Sequence, residues 1–136
     1  MNQSSSDSTI KDGEEYTVYN DEKIGRGAYS EVYKGRTKAG RLCAIKVARK
    51  KSDIDSMMTE IEILKNLKGV PNIVQYIGSV VKKSNGNGII VTFAMELALG
   101  SLENLMRQPE NAKGLRENEI CDFIMDCCKL LRFAFR

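Results

Sequence analysis

Along residues 16–47, short apolar segments alternate with polar breaks that carry glycine. Tyr16-Thr17-Val18-Tyr19, Glu31-Val32-Tyr33-Lys34-Gly35 and Leu42-Cys43-Ala44-Ile45-Lys46-Val47 are rich in β-branched and aromatic residues, which predicts three short strands. Lys38-Ala39-Gly40-Arg41 lies between the second and third, so an antiparallel meander is the simplest connection. The period then changes. Ile54, Met57, Met58, Ile61, Leu64 and Leu67 recur at three- and four-residue steps and predict an amphipathic helix that stops near Gly69 and Pro71. Ser52 stands where an N-cap would, with Asp55 as a weaker version of the capping-box acid. Apolar runs at 73–77 and 89–95, around a turn at 84–88, predict two further strands, giving five strands in all. After Gly100, Ser101 is placed to cap a short helix. The strongest helical stripe in the chain then follows: Ile120, Phe123, Ile124, Cys127, Leu130, Leu131 and Ala134.

Residues 1–15 are polar, rich in serine and aspartate, and lack apolar periodicity, so order is expected to begin near Tyr16 and a disordered tail before it. The remainder divides into a sheet-bearing segment, 16–95, and a helical one, 96–136. With 136 residues, 42% hydrophobic and 29% charged, the chain has the composition of one small globular domain, and a net charge of +3 is too weak a field to imply nucleic acid. Arg49, Lys50 and Lys51 read as a solvated turn. No basic start precedes an apolar stretch, and no apolar run approaches the roughly 20 residues needed to cross a bilayer. The expected setting is intracellular, cytoplasmic or nuclear, with no membrane partner. Its four cysteines are then expected as reduced thiols, and without histidine or paired C-x-x-C spacing no metal site is expected.

The candidate chemistry is concentrated in three places. Ile24-Gly25-Arg26-Gly27-Ala28-Tyr29-Ser30-Glu31-Val32 carries spaced glycines, with Ser30 where a third would stand. In a dinucleotide-binding fold such glycines open a helix; here the sequence continues as a strand, so the loop is expected to be a hairpin folding over a ligand. Gly25 and Gly27 let backbone N–H groups approach phosphate oxygens without a Cβ in the way. Lys46, among Ala44, Ile45 and Val47, is a compact cation suited to gripping phosphate. Glu60 falls on the apolar side of the predicted helix, where a lone carboxylate is expensive, and so it calls for a cation. Lys46 is the expected partner: at ~4 Å and an effective dielectric of about 20 the attraction is on the order of 4 kcal/mol before desolvation.

These residues, in this order, resemble the protein kinase family, by this reading a serine/threonine kinase. Residues 24–32 match its Gly-rich loop, Ala44-Ile45-Lys46 its strand lysine, and Glu60-Ile61-Glu62-Ile63-Leu64 its C-helix glutamate segment. Pro71-Asn72-Ile73-Val74 is similar to the loop after that helix, with Val70 in place of the usual histidine. Val91-Thr92-Phe93-Ala94-Met95-Glu96 is similar to the strand entering the hinge, and Gly100-Ser101-Leu102 to its exit. The resemblance implies an α+β fold: a kinase-like small lobe of a five-stranded antiparallel sheet plus the C helix, then the hinge and the first helices of a large lobe. It implies an ATP site in which Ile24, Val32, Ala44 and Leu97 border the adenine and Met95 is the gatekeeper. Glu96 and Ala98 would offer backbone groups to the purine, Ser101 would lie near the ribose, and Tyr29 would cap the phosphate loop.

The resemblance covers roughly residues 16–133 and only the first half of the family's catalytic domain. The H-R-D loop that would supply the catalytic base and the D-F-G segment that would hold Mg²⁺ are not among these residues, and Asp122 and Asp126 fall on a regular helix. The expectation is therefore ATP binding without turnover by this chain alone, with Mg²⁺ expected only in a complete kinase and no catalytic residue assigned here. The final helix would leave roughly 10 kcal/mol of apolar burial unclaimed without a cover, so it is expected to fold back on the small lobe, to find a protein partner for that face, or to leave an aggregation-prone patch. A non-catalytic, kinase-like interaction or regulatory module is the alternative; a dinucleotide-binding oxidoreductase is disfavoured because no βαβ alternation follows the glycines.

Overall fold

A computed structural model describes residues 7–26, 30–84, 86, 88–100 and 102–134. The chain divides into two units, Met1–Lys68 with Val74–Leu97, and Gly69–Ile73 with Ala98–Arg136. In the first unit the strands are β1 (Ser8–Gly13), β2 (Tyr16–Arg26), β3 (Glu31–Thr37), β4 (Leu42–Ala48), β5 (Tyr76–Ser84) and β6 (Gly88–Glu96), with one helix, α1 (Lys51–Asn66). They form a six-stranded sheet in the order β1-β5-β6-β4-β3-β2, and every neighbouring pair is antiparallel. The expected meander is present as β2-β3-β4, and the turn expected at 84–88 joins β5 to β6, with Gly88 at φ 78° opposite Ser84.

The sheet coils on itself. Only Glu14 and Glu15 separate β1 from β2, although these strands occupy opposite ends of the strand order. Such a link spans at most about 11 Å, so the two edges must approach one another at this corner. The hydrogen bonds record it: Glu14 N–H donates to the Ile77 carbonyl at 3.0 Å, and the Tyr16 hydroxyl lies 2.6 Å from Thr92 Oγ1, although Tyr16 begins the edge strand and Thr92 sits in central β6. Coiling gives each face its own core. Cys43, Ile45, Val47, Ile77 and Ala94 pack on one face with Tyr16, Val18 and Tyr33 against them. Ala48, Val91, Phe93 and Tyr76 pack on the other beneath Met57 and Ile61 of α1.

Three expectations need correction. The tail expected over 1–15 contains a strand: Ser8–Gly13 pairs residue by residue with β5, from Ser8 opposite Lys83 to Gly13 opposite Gly78, making six strands where five were expected. All six of its residues are exposed, so it is held by backbone pairing, which no apolar alternation announces. The strand expected at 73–77 begins later, at Tyr76, and runs through the polar pair Lys82 and Lys83. Ser52 does not cap α1; Lys50 occupies the N-cap without a side-chain hydrogen bond, and the Ser52 hydroxyl donates to Asp53 Oδ1 at 3.3 Å instead.

The second unit holds α2 (Leu102–Met106), a single 3-10 turn (Pro109–Asn111) and α3 (Glu117–Ala134). Within it the Asn72 side-chain amide donates to the Asp126 carbonyl at 3.1 Å, and the Arg116 N–H donates to Glu119 Oε2 at the start of α3. The apolar stripe of α3 is solvent-facing as far as its side chains are described: Ile120, Phe123 and Ile124 are all exposed.

Candidate functional site

The alternation of β4 sorts its side chains. Cys43, Ile45 and Val47 point into one core, so Ala44, Lys46 and Ala48 point to the face that α1 partly covers. Pairing extends this face sideways. Lys46 stands opposite Val32 on β3 and Phe93 on β6, Ala44 stands opposite Met95, and Gly25 on β2 stands opposite Val32. Directly paired residues share a face, so Gly25, Val32, Ala44, Lys46 and Met95 form one continuous surface.

Across this surface α1 delivers Glu60. Lys46 Nζ lies 2.6 Å from Glu60 Oε1, and the same ammonium sits 5.8 Å from the centroid of the Phe93 ring. Lys46 is 24% and Glu60 41% exposed, so the pair is neither sealed in the core nor freely solvated. The ring face adds a weak attraction for the cation and restricts where the lysine head can go. The result is an ammonium held by a carboxylate on one side and an aromatic ring on another, with Glu60 its one hydrogen-bond acceptor among the described residues.

The other site residues expected from sequence are distributed unevenly. Ile24 is half-exposed, Leu97 is half-buried, and Met95 packs against the core beneath α1. The Glu96 N–H donates to the Gln75 carbonyl at 2.9 Å while its carboxylate accepts from Gln75 N–H, so its N–H is already engaged within the protein. Ala98 belongs to the second unit and is exposed. Gly27, Ala28, Tyr29 and Ser101, and the side chain of Arg26, lie outside the described residues. Ser30 is half-buried, and Glu31 pairs with Lys23 at 3.2 Å and with the Tyr33 hydroxyl, which donates to Glu31 Oε2. The bond to Glu31 holds the Tyr33 phenol above its ordinary range.

One cluster was not foreseen. Asp12 on β1 accepts from the Tyr76 hydroxyl at 2.8 Å and lies 2.8 Å from Lys65 Nζ on α1, and the Tyr76 hydroxyl also bonds Ser79 Oγ at 2.9 Å. These bonds, Lys65 first and Tyr76 second, hold the Asp12 carboxyl below its usual range. Asp12 sits in a polar stretch with no motif around it, so only its position opposite Ser79 in the β1–β5 register could have revealed it.

A coiled antiparallel sheet whose single helix hands a carboxylate to a strand lysine is the architecture of a kinase small lobe. Comparison with known proteins agrees. The family model for the protein kinase domain matches residues 18–136, and the chain belongs to that family. It is 51% identical over 125 residues to the inhibitor of nuclear factor kappa-B kinase epsilon subunit homolog 1 of Caenorhabditis elegans, covering 90% of this chain and 15% of that protein. It is 42% identical over 111 residues to the serine/threonine-protein kinase pakF of Dictyostelium discoideum, covering 80% of this chain and 9% of the relative. Over 115 residues it is 37% identical to misshapen-like kinase 1 of Rattus norvegicus, covering 82% and 8%. The chain thus spans less than a sixth of the length of these relatives.

Proposed function

We propose that this chain is the ATP-holding part of a serine/threonine protein kinase, working inside the cell. The observation that carries the reading is the fixed ammonium of Lys46, 2.6 Å from Glu60, on the same strip of sheet as Gly25, Val32, Ala44 and Met95. Gly25 supports it further. Its φ is not in the left-handed region, and among the described residues a Cβ there would meet only Val32, at an ordinary 3.7 Å, so neither backbone strain nor crowding by those residues asks for glycine. Room for a ligand against the backbone does.

In this reading Lys46, oriented by Glu60, donates to phosphate oxygens of ATP, and the backbone of the glycine loop at Gly25, Arg26 and Gly27 lies along them. The family resemblance gives Tyr29 the cap of that loop and Ala28 a place within it, both outside the described residues, and Ser30 and Glu31 lead into β3. The small Ala44 leaves space for the flat purine between itself, Val32, Ile24, Met95 and Leu97. The Glu96 carbonyl faces the purine edge; for Ala98, in the second unit, and Ser101, outside the described residues, the hinge and ribose roles are those that the family resemblance implies. Mg²⁺ would neutralise phosphate charge in a complete kinase; among the described residues no three His, Cys, Asp or Glu groups converge, so no step here runs through it. With no histidine in the sequence there is no H-R-D base, and the 136 residues by themselves bind ATP without transferring its phosphate.

ATP at a hundred times its dissociation constant stabilises the bound state by about 2.7 kcal/mol. For a chain of this size that raises the thermal midpoint by roughly 9 °C. The Lys46→Met variant should lose most of this shift, and an absence of any ATP shift in the parent chain would refute the reading. A second reading, a non-catalytic module that docks on a protein partner through α3, is favoured by one observation: Ile120, Phe123, Ile124 and Met125 are each at least 40% exposed. It is distinguished by a parent chain that ignores ATP yet associates through that face, an association that charged substitutions at Phe123 and Ile124 abolish.

A further inference from the structure

Helix α1 is lightly held for an element that carries the key carboxylate. Met57 and Ile61 are its only buried residues, with Ile54 and Leu64 partly buried beside them. A narrow apolar stripe resists lifting of the helix off the sheet but resists rolling about its own axis poorly. Two polar tethers flank this stripe. At about 100° per residue, Glu60 lies on one side of the Met57–Ile61–Leu64 line and Lys65 on the other, roughly 140° apart around the helix. Glu60 ties the first flank to Lys46 on β4, and Lys65 ties the second to Asp12 on β1.

The second tether is itself braced. Lys65 Nζ lies 5.8 Å from the centroid of the Tyr76 ring, and the hydroxyl of that ring donates to the Asp12 oxygen that Lys65 contacts. Tyr76 is only 7% exposed and belongs to the same core as Met57 and Ile61, so the anchor is built into the sheet rather than hung on a loose side chain. β1, by contrast, is exposed along its whole length and is joined to the sheet by its ladder with β5.

We infer that Asp12 is a positioning residue: through Lys65 it fixes the roll of α1 and thereby keeps Glu60 on Lys46, making the N-terminal strand part of the device that orients the phosphate-gripping lysine. The inference rests on the ATP reading for its functional consequence but not for its geometry. Release of β1, by whatever displaces it from β5, frees the Lys65 flank and lets Glu60 turn away.

The test uses the full chain and three variants: Asp12→Asn, Lys65→Met, and the charge swap Asp12→Lys with Lys65→Asp. Amide exchange across residues 57–66 should quicken about fivefold in the first two, the upper range for a half-exposed ion pair, while the amides of β4 stay unchanged. Lys65→Met should do so without quickening the β1 amides, since the Tyr76–Asp12 bond survives, and a strand that merely frays could not give that pattern. The swap should restore slow exchange in α1. The ATP-induced midpoint shift should shrink in Lys65→Met and recover in the swap. Unchanged α1 exchange in both single variants, or a swap that restores nothing, overturns the inference. Should the parent chain show no ATP shift, the ATP reading falls while the exchange result still decides whether Asp12 governs the roll of α1.

Discussion

Removing the Lys46–Glu60 pair is the most direct perturbation of the site. At the observed 2.6 Å the bare attraction at an effective dielectric of about 20 is about 6 kcal/mol. Most of that is offset. Both groups leave water to meet, and with Lys46 24% and Glu60 41% exposed, solvent still screens them. Fully exposed pairs contribute about 0.2–1 kcal/mol and charged hydrogen bonds about 1.5–3. The geometry lies between, so a coupling of about 1–2 kcal/mol is expected. It is read from urea unfolding of the parent, Lys46→Met, Glu60→Gln and the double variant, where the pairwise term is what the single losses fail to add up to. Losing the cation over Phe93 costs a further ~0.5–1 kcal/mol, but that cost appears in both Lys46→Met proteins and cancels from the coupling. Additivity within about 0.3 kcal/mol would mean that the two groups do not hold one another, and the argument that Glu60 orients the lysine would fail.

Two other expectations follow from the coiled sheet. A Cβ at Gly35 would overlap the Thr17 carbonyl oxygen of β2 and Cδ1 of Ile45, which is completely buried and cannot give way, so Gly35→Ala should cost about 1–3 kcal/mol in urea unfolding; an unchanged midpoint would contradict the close approach of β2. Burial pushes the phenols of Tyr16 and Tyr76 up to about 12 from 10.0. Because the folded state favours their neutral form, the associated stability is complete below about pH 10 and lost as pH rises through about 12, so an ultraviolet titration should show a late step near 12 from Tyr16 and Tyr76. Phenylalanine substitution at either should diminish the late step and substitution at both should remove it, and the absence of any late step in the parent would refute the burial.

Much of this protein is legible in one dimension because its functional groups lie on regular elements. The three-strand meander follows from β-branched runs separated by glycine turns, and the helical period of Ile54, Met57, Ile61 and Leu64 sets the inward side of α1. With Lys46 on a strand and Glu60 on that inward side, a pairing of the two is the expectation, because a carboxylate there calls for a cation, and in the structure they are 2.6 Å apart. The hinge-side residues Met95 and Glu96 are fixed by register with Ala44 and Cys43, which a strand pattern also constrains.

The tertiary structure decided what depends on partners far away in sequence. β1 carries no apolar signature because its residues face solvent; it exists only because β5, more than sixty residues later, leaves an edge for it to pair with. The same pairing brings Asp12 between Lys65 and Tyr76, turning an aspartate in an unremarkable polar stretch into an anchor for α1. Local sequence fixes which side chains an element turns inward, since that depends on backbone period alone. Which element arrives to meet them, and how tightly the sheet must coil to let Tyr16 reach Thr92, is set by the closure of the whole ladder.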